Sequence, residues 1–421
     1  MSTTHPLFTQ DELTGFTNEL KEWPATAFDN GEFEIAVSPF TSFYFLYEPH
    51  SWRETSLLMV DLHEEFERLT GKPYKIATHP ESERPYRYGS KRLPDLRSFI
   101  DKMTPDQSFL FSFTDEENTN SSPAVAAYFC RKRDYLNKRP QGDDRPPAYS
   151  YVQFYYRWQW WQDNKEAWRR FLLNTIERLR PQQVYSGFAI ANPLAFGTRS
   201  EVSVWERSLT ERFYGLDIDY PFGMSMGMDE SLPAGLKAPT WGFFLSDEWR
   251  EKLAVGRQHV AAFAEAAGIQ VTVCQTGLWL ELGDEPGLYP VEDGVPPMHV
   301  ALNTLLRPLR NDALELIGTG EWDGDPNVRF NREDARRWLG RFDEESDWPR
   351  ADARIGASSS SEPRPTSVAA GEQCPQSGWW FTPAQANSRK YFNEGEELPT
   401  VDTSYGASFW QWDVDQSDPK L

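Results

Sequence analysis

Cysteine is scarce in this chain. The 421 residues hold three, Cys130, Cys274 and Cys374, far apart and with no C-x-x-C pair. That excludes a disulfide framework and a thiolate zinc knuckle. Cys130 and Cys274 end apolar, strand-like runs and read as buried thiols. Positive charge is also short: 43 Lys and Arg face 64 Asp and Glu, a formal net charge of -21. Direct binding to nucleic acid or an anionic membrane surface needs clustered cations, so both are excluded as partners. The six histidines (5, 50, 63, 79, 259 and 299) show no i,i+4 pair and no H-E-x-x-H, so no metal site is expected. There is no G-x-x-x-x-G-K and no G-x-G-x-x-G after a strand. Gly223-Met-Ser-Met-Gly227 follows Pro221 and is not taken as a phosphate cradle. No uncharged apolar run approaches the ~18 residues of a membrane span. The opening Met-Ser-Thr-Thr-His-Pro has neither a basic nor an apolar export region, so the expected location is the cytoplasm.

What the chain has in quantity is aromatic surface, 14% of residues with 17 Trp. The run from Tyr149 to Trp161 packs eight aromatics and no acid into thirteen residues. Such a segment suits a strand buried on at least one face. Asp163-Asn-Lys-Glu166 then reads as a capped helix start. Trp168, Phe171, Leu172, Ile176 and Leu179 follow at helical spacing, and Pro181 ends the helix. Val184–Ile190 is the next strand.

Similar logic orders the rest. Phe33–Val37 and Phe43–Tyr47 are strands separated by a turn at Ser38-Pro39. Ser51 caps a helix with Leu58, Leu62, Phe66 and Leu69 on one face, closed by Gly71. Ser108–Phe113 and Val125–Cys130 are strands. The unit 43–78 loosely parallels 151–190, a possible internal βαβ-like repeat. Trp241–Leu245 is a strand, and Ser246 caps a helix running toward Gly268 with a kink near Gly256. Ile269–Cys274 and Leu278–Leu282 form a hairpin around Gln275-Thr-Gly277. Helices are expected at 297–306 and after Asn331. The fold class is therefore α+β, a mixed or antiparallel sheet packed by helices. Residues 1–345 form that body, 346–371 are a polar Ser/Pro linker, and 372–421 form a small β-rich module.

Catalytic chemistry is hard to assemble from these residues. Asp217-Ile-Asp219 and Asp323-Gly-Asp325 offer oxygen ligands for a hard cation, but no ligand series follows, and turn chemistry reads better. Cys130 before Arg131-Lys-Arg133 is a thiol without a partnered histidine. Trp279-Leu-Glu281 beside Asp284-Glu285 matches a sugar-stacking platform with a carboxylate pair, and equally a half-buried strand. The acidic loops say more. Residues 283–297 place Asp284, Glu285, Glu292 and Asp293 around Tyr289, and Asp343, Glu344, Glu345 and Asp347 lie farther on. Carboxylates ringing an exposed aromatic suit a cationic protein surface.

Several short motifs, taken in order, resemble the type VI secretion immunity family. They are the aromatic strand with its helix, Tyr185-Ser-Gly187 and Phe213-Tyr-Gly-Leu-Asp-Ile218. Gln275-Thr-Gly277 before Leu282-Gly-Asp284, and Tyr289 before a helix ending Leu306-Arg-Pro-Leu309, complete the match over residues 30–320. The tail, with Ser377-Gly-Trp-Trp380, Ser388-Arg-Lys-Tyr-Phe392 and Trp410-Gln-Trp412, resembles a module of polymorphic-toxin immunity proteins. The resemblance implies a cytosolic or periplasmic antidote that binds one cognate effector toxin and has no catalytic residues to carry over; the motifs above give no metal and no cofactor. The acidic balance points to a basic toxin, a cytoplasmic nuclease, blocked at its active site or assembly surface. A carbohydrate-active enzyme or sugar-binding protein using Trp platforms, and an adaptor that loads an effector, remain as alternatives. Oligomeric state is not legible.

Overall fold

The computed structural model describes residues 25–29, 31–133, 145–195, 199–316, 332–349, 367–382, 385, 388–400 and 409–413. The chain divides into two compact units, Met1–Ile355 and Gly356–Leu421.

The first unit opens with β1 (Ala25–Asp29), β2 (Glu34–Phe45) and α1 (Trp52–Leu69). Next come β3 (Ile76–Thr78), β4 (Pro85–Arg87), α2 (Leu96–Ile100), β5 (Phe109–Thr114) and β6 (Ala126–Arg131). β7 (Ser150–Tyr155), α3 (Trp158–Leu179), β8 (Gln183–Ile190), α4 (Arg199–Thr210), β9 (Leu216–Asp217) and α5 (Pro221–Met224) follow. The unit continues with β10 (Gly242–Ser246), α6 (Asp247–Lys252), α7 (Arg257–Ala266), β11 (Gln270–Cys274), β12 (Gly277–Glu281), α8 (Pro297–Leu306) and α9 (Arg332–Leu339). Ten of the strands run β11-β12-β10-β8-β2-β7-β6-β5-β3-β4, every neighbour antiparallel, with β1 added to β2 and β9 parallel to β8. The sheet is antiparallel apart from the short β9, and with its packed helices the unit is α+β as expected.

β2 is the axis of this sheet. It pairs with β8 over Val37–Tyr44 and with β7 over Phe40–Phe45. The sequence reading put a turn at Ser38-Pro39; the chain runs straight through as one strand. Pro39 is tolerated because it falls at the seam between β1 and β7. Its carbonyl accepts from Tyr156 N at 3.3 Å, so its nitrogen faces the seam and no ladder bond is lost.

Helices α1 and α3 cover one sheet face. Phe66 and Trp168 meet Phe154, and His63 lies flat on Phe113 with ring centroids 3.7 Å apart. The aromatic run splits earlier than expected. β7 stops at Tyr155, and Trp158–Trp161 form the first turn of α3 rather than the end of a strand. The cap-like Asp163-Asn164 sits inside the helix, at a kink where Asn164 has φ -128°. A start signal therefore marks a break, and Asn164 Nδ2 donates to the Trp160 carbonyl at 2.8 Å. Likewise, the helix expected from Ser246 to Gly268 is two helices, α6 and α7. The chain breaks at Ala254 (φ 56°), and Gly256 becomes the N-cap of α7.

The second unit holds a four-stranded sheet of β13 (Ser367–Ala369), β14 (Gly378–Phe381), β15 (Lys390–Phe392) and β16 (Phe409–Trp412), ordered β13-β16-β14-β15. Cys374, Trp380, Phe392, Leu398 and Trp410 form its small core.

Candidate functional site

The acidic loop after β12 is built on backbone hydrogen bonds rather than on its own prolines alone. Tyr214 N and Gly215 N donate to the carbonyls of Tyr289 (3.0 Å) and Leu288 (2.7 Å), and Val291 N donates to Arg212 O (2.9 Å). Gly215 is required at this crossing, because a Cβ there would lie 2.0 Å from the Gly287 carbonyl oxygen. A loop tied down in this way has little backbone entropy left to lose on binding.

Asp284, Glu285, Glu292 and Asp293 are all exposed on this frame. Asp284 accepts from Gln270 at 2.9 Å. Glu285 accepts from Gln162 and Lys165 of α3, each at 3.1 Å, and these bonds hold its carboxyl below the ordinary range. No salt bridge engages Glu292 or Asp293 among the described residues. Tyr289 is not the exposed aromatic expected at the centre. It has φ 53°, is half-buried and packs edge-on against His299 at 5.2 Å. Burial pushes its hydroxyl pKa up.

The second acidic stretch divides. Asp343 is a structural ion. It receives both arms of Arg310 at 2.7 Å and Asn303 at 2.7 Å. Burial opposes its ionisation, but the Arg310 and Asn303 bonds prevail and hold its pKa low. Glu345 pairs with Arg307 and Asp347 with Arg337, while Glu344 is exposed. The two acidic stretches meet through aromatic packing. Tyr289 and Phe342 flank His299, with Phe342 at 5.0 Å, so both stretches rest on one spine. Sequence spacing gave no sign of this.

The other candidate sites read differently in three dimensions. Asp217 and Asp219 meet a cation supplied by the chain. The Lys237 ammonium pairs with Asp217 and lies 3.0 Å from Asp219 Oδ1, fully buried under the Tyr185 ring at 4.5 Å. Ser42, Tyr44 and Gln153 from β2 and β7 donate to Asp219. Burial raises the Asp217 carboxyl against the pull of Lys237. Lys237 was missed in the sequence because no motif links it to the aspartates. Asp323-Gly-Asp325 lies outside the described residues. Among those described, no cluster of His, Cys, Asp or Glu is placed to hold a metal ion. Cys130 is buried, and burial raises its thiol pKa. Trp279 is 1% exposed and Glu281 is held by Arg169 at 3.0 Å, so this pair offers no open stacking platform. Gly223-Met-Ser-Met-Gly227 does match the G-x-S-x-G spacing of a nucleophile elbow, a match the sequence reading passed over. However, Ser225 is buried at the C-terminal end of the short α5, not on a strand-to-helix turn, and its hydroxyl is directed to Phe222 O.

A family model described as type VI immunity for VRR-NUC matches residues 62–342. The chain belongs to this family. The matched span contains the whole acidic loop and ends one residue before Asp343. Among solved structures, the Pseudomonas aeruginosa type VI secretion system (T6SS) protein PA0821 is similar, at 21% identity and a TM-score of 0.64. The match covers 76% of this chain and 85% of that one. At that identity the likeness establishes the shared fold. No curated protein matches the chain. The family membership bears out the resemblance read from the motifs. No helix among the described residues is long and apolar enough to cross a membrane.

Proposed function

We propose that this immunity protein neutralises a cognate VRR-NUC-type nuclease effector by binding it stoichiometrically, without turning over any substrate. The observation that carries this reading is the anchored loop that projects Asp284, Glu285, Glu292 and Asp293. A nuclease must gather Lys and Arg around the phosphate path, and clustered carboxylates on an anchored loop can occupy that path as phosphates would. Such an interface should bury on the order of 1,600 Å² or more. The site of action is the cytoplasm, where the nuclease meets its substrate.

The test is association kinetics with the effector at low and high salt. Asp284→Lys with Glu285→Lys should slow association about tenfold at low salt and flatten its salt dependence. Unchanged rates at both salts would remove the loop from the interface. Hydrolysis of a nucleic acid or glycan by the purified protein would overturn the non-enzymatic reading.

A further inference from the structure

A cavity of the first unit is lined by none of the acidic loop's side chains. A cleft of about 660 Å³ opens between α1, β3 and the segment leading into α2. Its size is within the range of ordinary binding pockets. Val60, Ala77, Leu93, Leu96 and Phe113 supply apolar wall. His63 also lines it, 4% exposed and stacked on Phe113, and its Nδ1 has no hydrogen-bond partner. A buried imidazole nitrogen without a partner is a standing cost to the fold. Burial lowers the His63 pKa to about 3, so the ring is neutral and does not repel a cation.

The lining carries three carboxylates, Glu64, Glu67 and Asp95, against two cations, Arg97 and Lys72, and Arg97 is committed. Arg97 is clamped between Asp61 (2.8 Å) and Glu64 (2.9 Å). Glu67 is positioned by the Tyr88 hydroxyl at 2.7 Å, which leaves its carboxylate charge uncompensated by any salt bridge among the described residues. Asp95 caps α2, and Lys72 is the remaining cation on the lining. Apolar walls, an aromatic ring at Tyr88 and an anchored carboxylate together suit one side chain above others. Arginine lays its stem on apolar surface, stacks its plane on an aromatic ring and pairs with a carboxylate.

From this geometry we infer that the cleft over His63 is a socket for an arginine side chain of the nuclease effector. The inference rests on the proposed function and extends it to a second contact. The helical layer joins the two places. Arg178 of α3 pairs with Glu65 and Asp61 of α1 beside the cleft, while Lys165 of α3 pairs with Glu285 on the acidic loop. Helix α3 thus touches both the steering loop and the helix that walls the socket.

The test uses the full chain and a nuclease-dead full-length effector in calorimetric titrations. Leu93→Trp, which fills the cleft, should weaken binding about 30-fold or more, and Glu67→Gln, which keeps an acceptor for Tyr88, about tenfold. Glu67→Gln should also couple to one effector Arg→Ala change in a double-mutant cycle. Unaltered thermal melting would show that both variants fold. Should Leu93→Trp fail to fold, the Glu67→Gln cycle decides alone. If the parent protein binds but Glu67→Gln leaves affinity unchanged, or couples to no arginine, the socket is refuted while the proposed function stands. If the parent protein does not bind the effector, both fall.

Discussion

Lys237 is the cation of the buried cluster beside β2 and β7. It supplies the cation for two fully buried carboxylates, Asp217 and Asp219. Replacing it with Met leaves uncompensated charge in the interior, and a loss of about 3–5 kcal/mol is expected in urea unfolding. Adding Asp217→Asn and Asp219→Asn should recover part of that loss. The histidines set a pH limit. Burial lowers the pKa of both His63 and His299 to about 3, with Arg341 adding to the effect at His299. In the unfolded chain both titrate near 6.5. The stability they contribute is full above that value and is lost as pH falls toward 3. The urea midpoint should therefore drop through this window, and less steeply in a His63→Phe, His299→Phe variant. Equal slopes for parent and variant would refute the assignment. At this scale the sequence showed the acids but not their partners. Asp217 and Asp219 stand out in the text, whereas Lys237, Arg310 and Arg341 reach their sites only through folding.

Among the elements, the acidic loop depends on a segment some seventy residues earlier in the chain. Gly215→Ala would drive a methyl into the Gly287 carbonyl, costing about 1–3 kcal/mol. Amide exchange at Gly215, whose N–H bonds to Leu288 O, should speed up while exchange in β2 stays slow. Retained protection at Gly215 would show that the crossing can adjust. Helix and strand identity was largely legible, since α1, α8, β8 and the β11–β12 hairpin fall where periodicity and turn residues put them. The errors share a cause. Local signals near Asn164, Gly256 and Pro39 were read as caps, kinks or turns in isolation. Whether a strand may run through a proline depends on which neighbour faces it, and that is a property of the sheet. The candidate loop was legible from its charge, but the packing of Tyr289 on His299 was not.

For the whole molecule, the family match stops at residue 342, and the second unit begins at Gly356. A chain ending at residue 355 is therefore expected to fold and to protect cells against the effector as well as the complete protein does. Loss of protection with an unchanged melting profile would assign part of the recognition to the tail. The central position of β2 has a consequence of another kind. It is made early, yet its partners β7 and β8 are complete only when synthesis reaches Ile190. Until then a twelve-residue strand, apolar at most positions, leaves the ribosome with most of its ladder empty. Closing such distant pairs is slow, and the waiting segment is prone to self-association. Newborn antidote should thus lean on holdase chaperones, and a cell under sudden attack is guarded by the stock it has already folded rather than by what it is still translating.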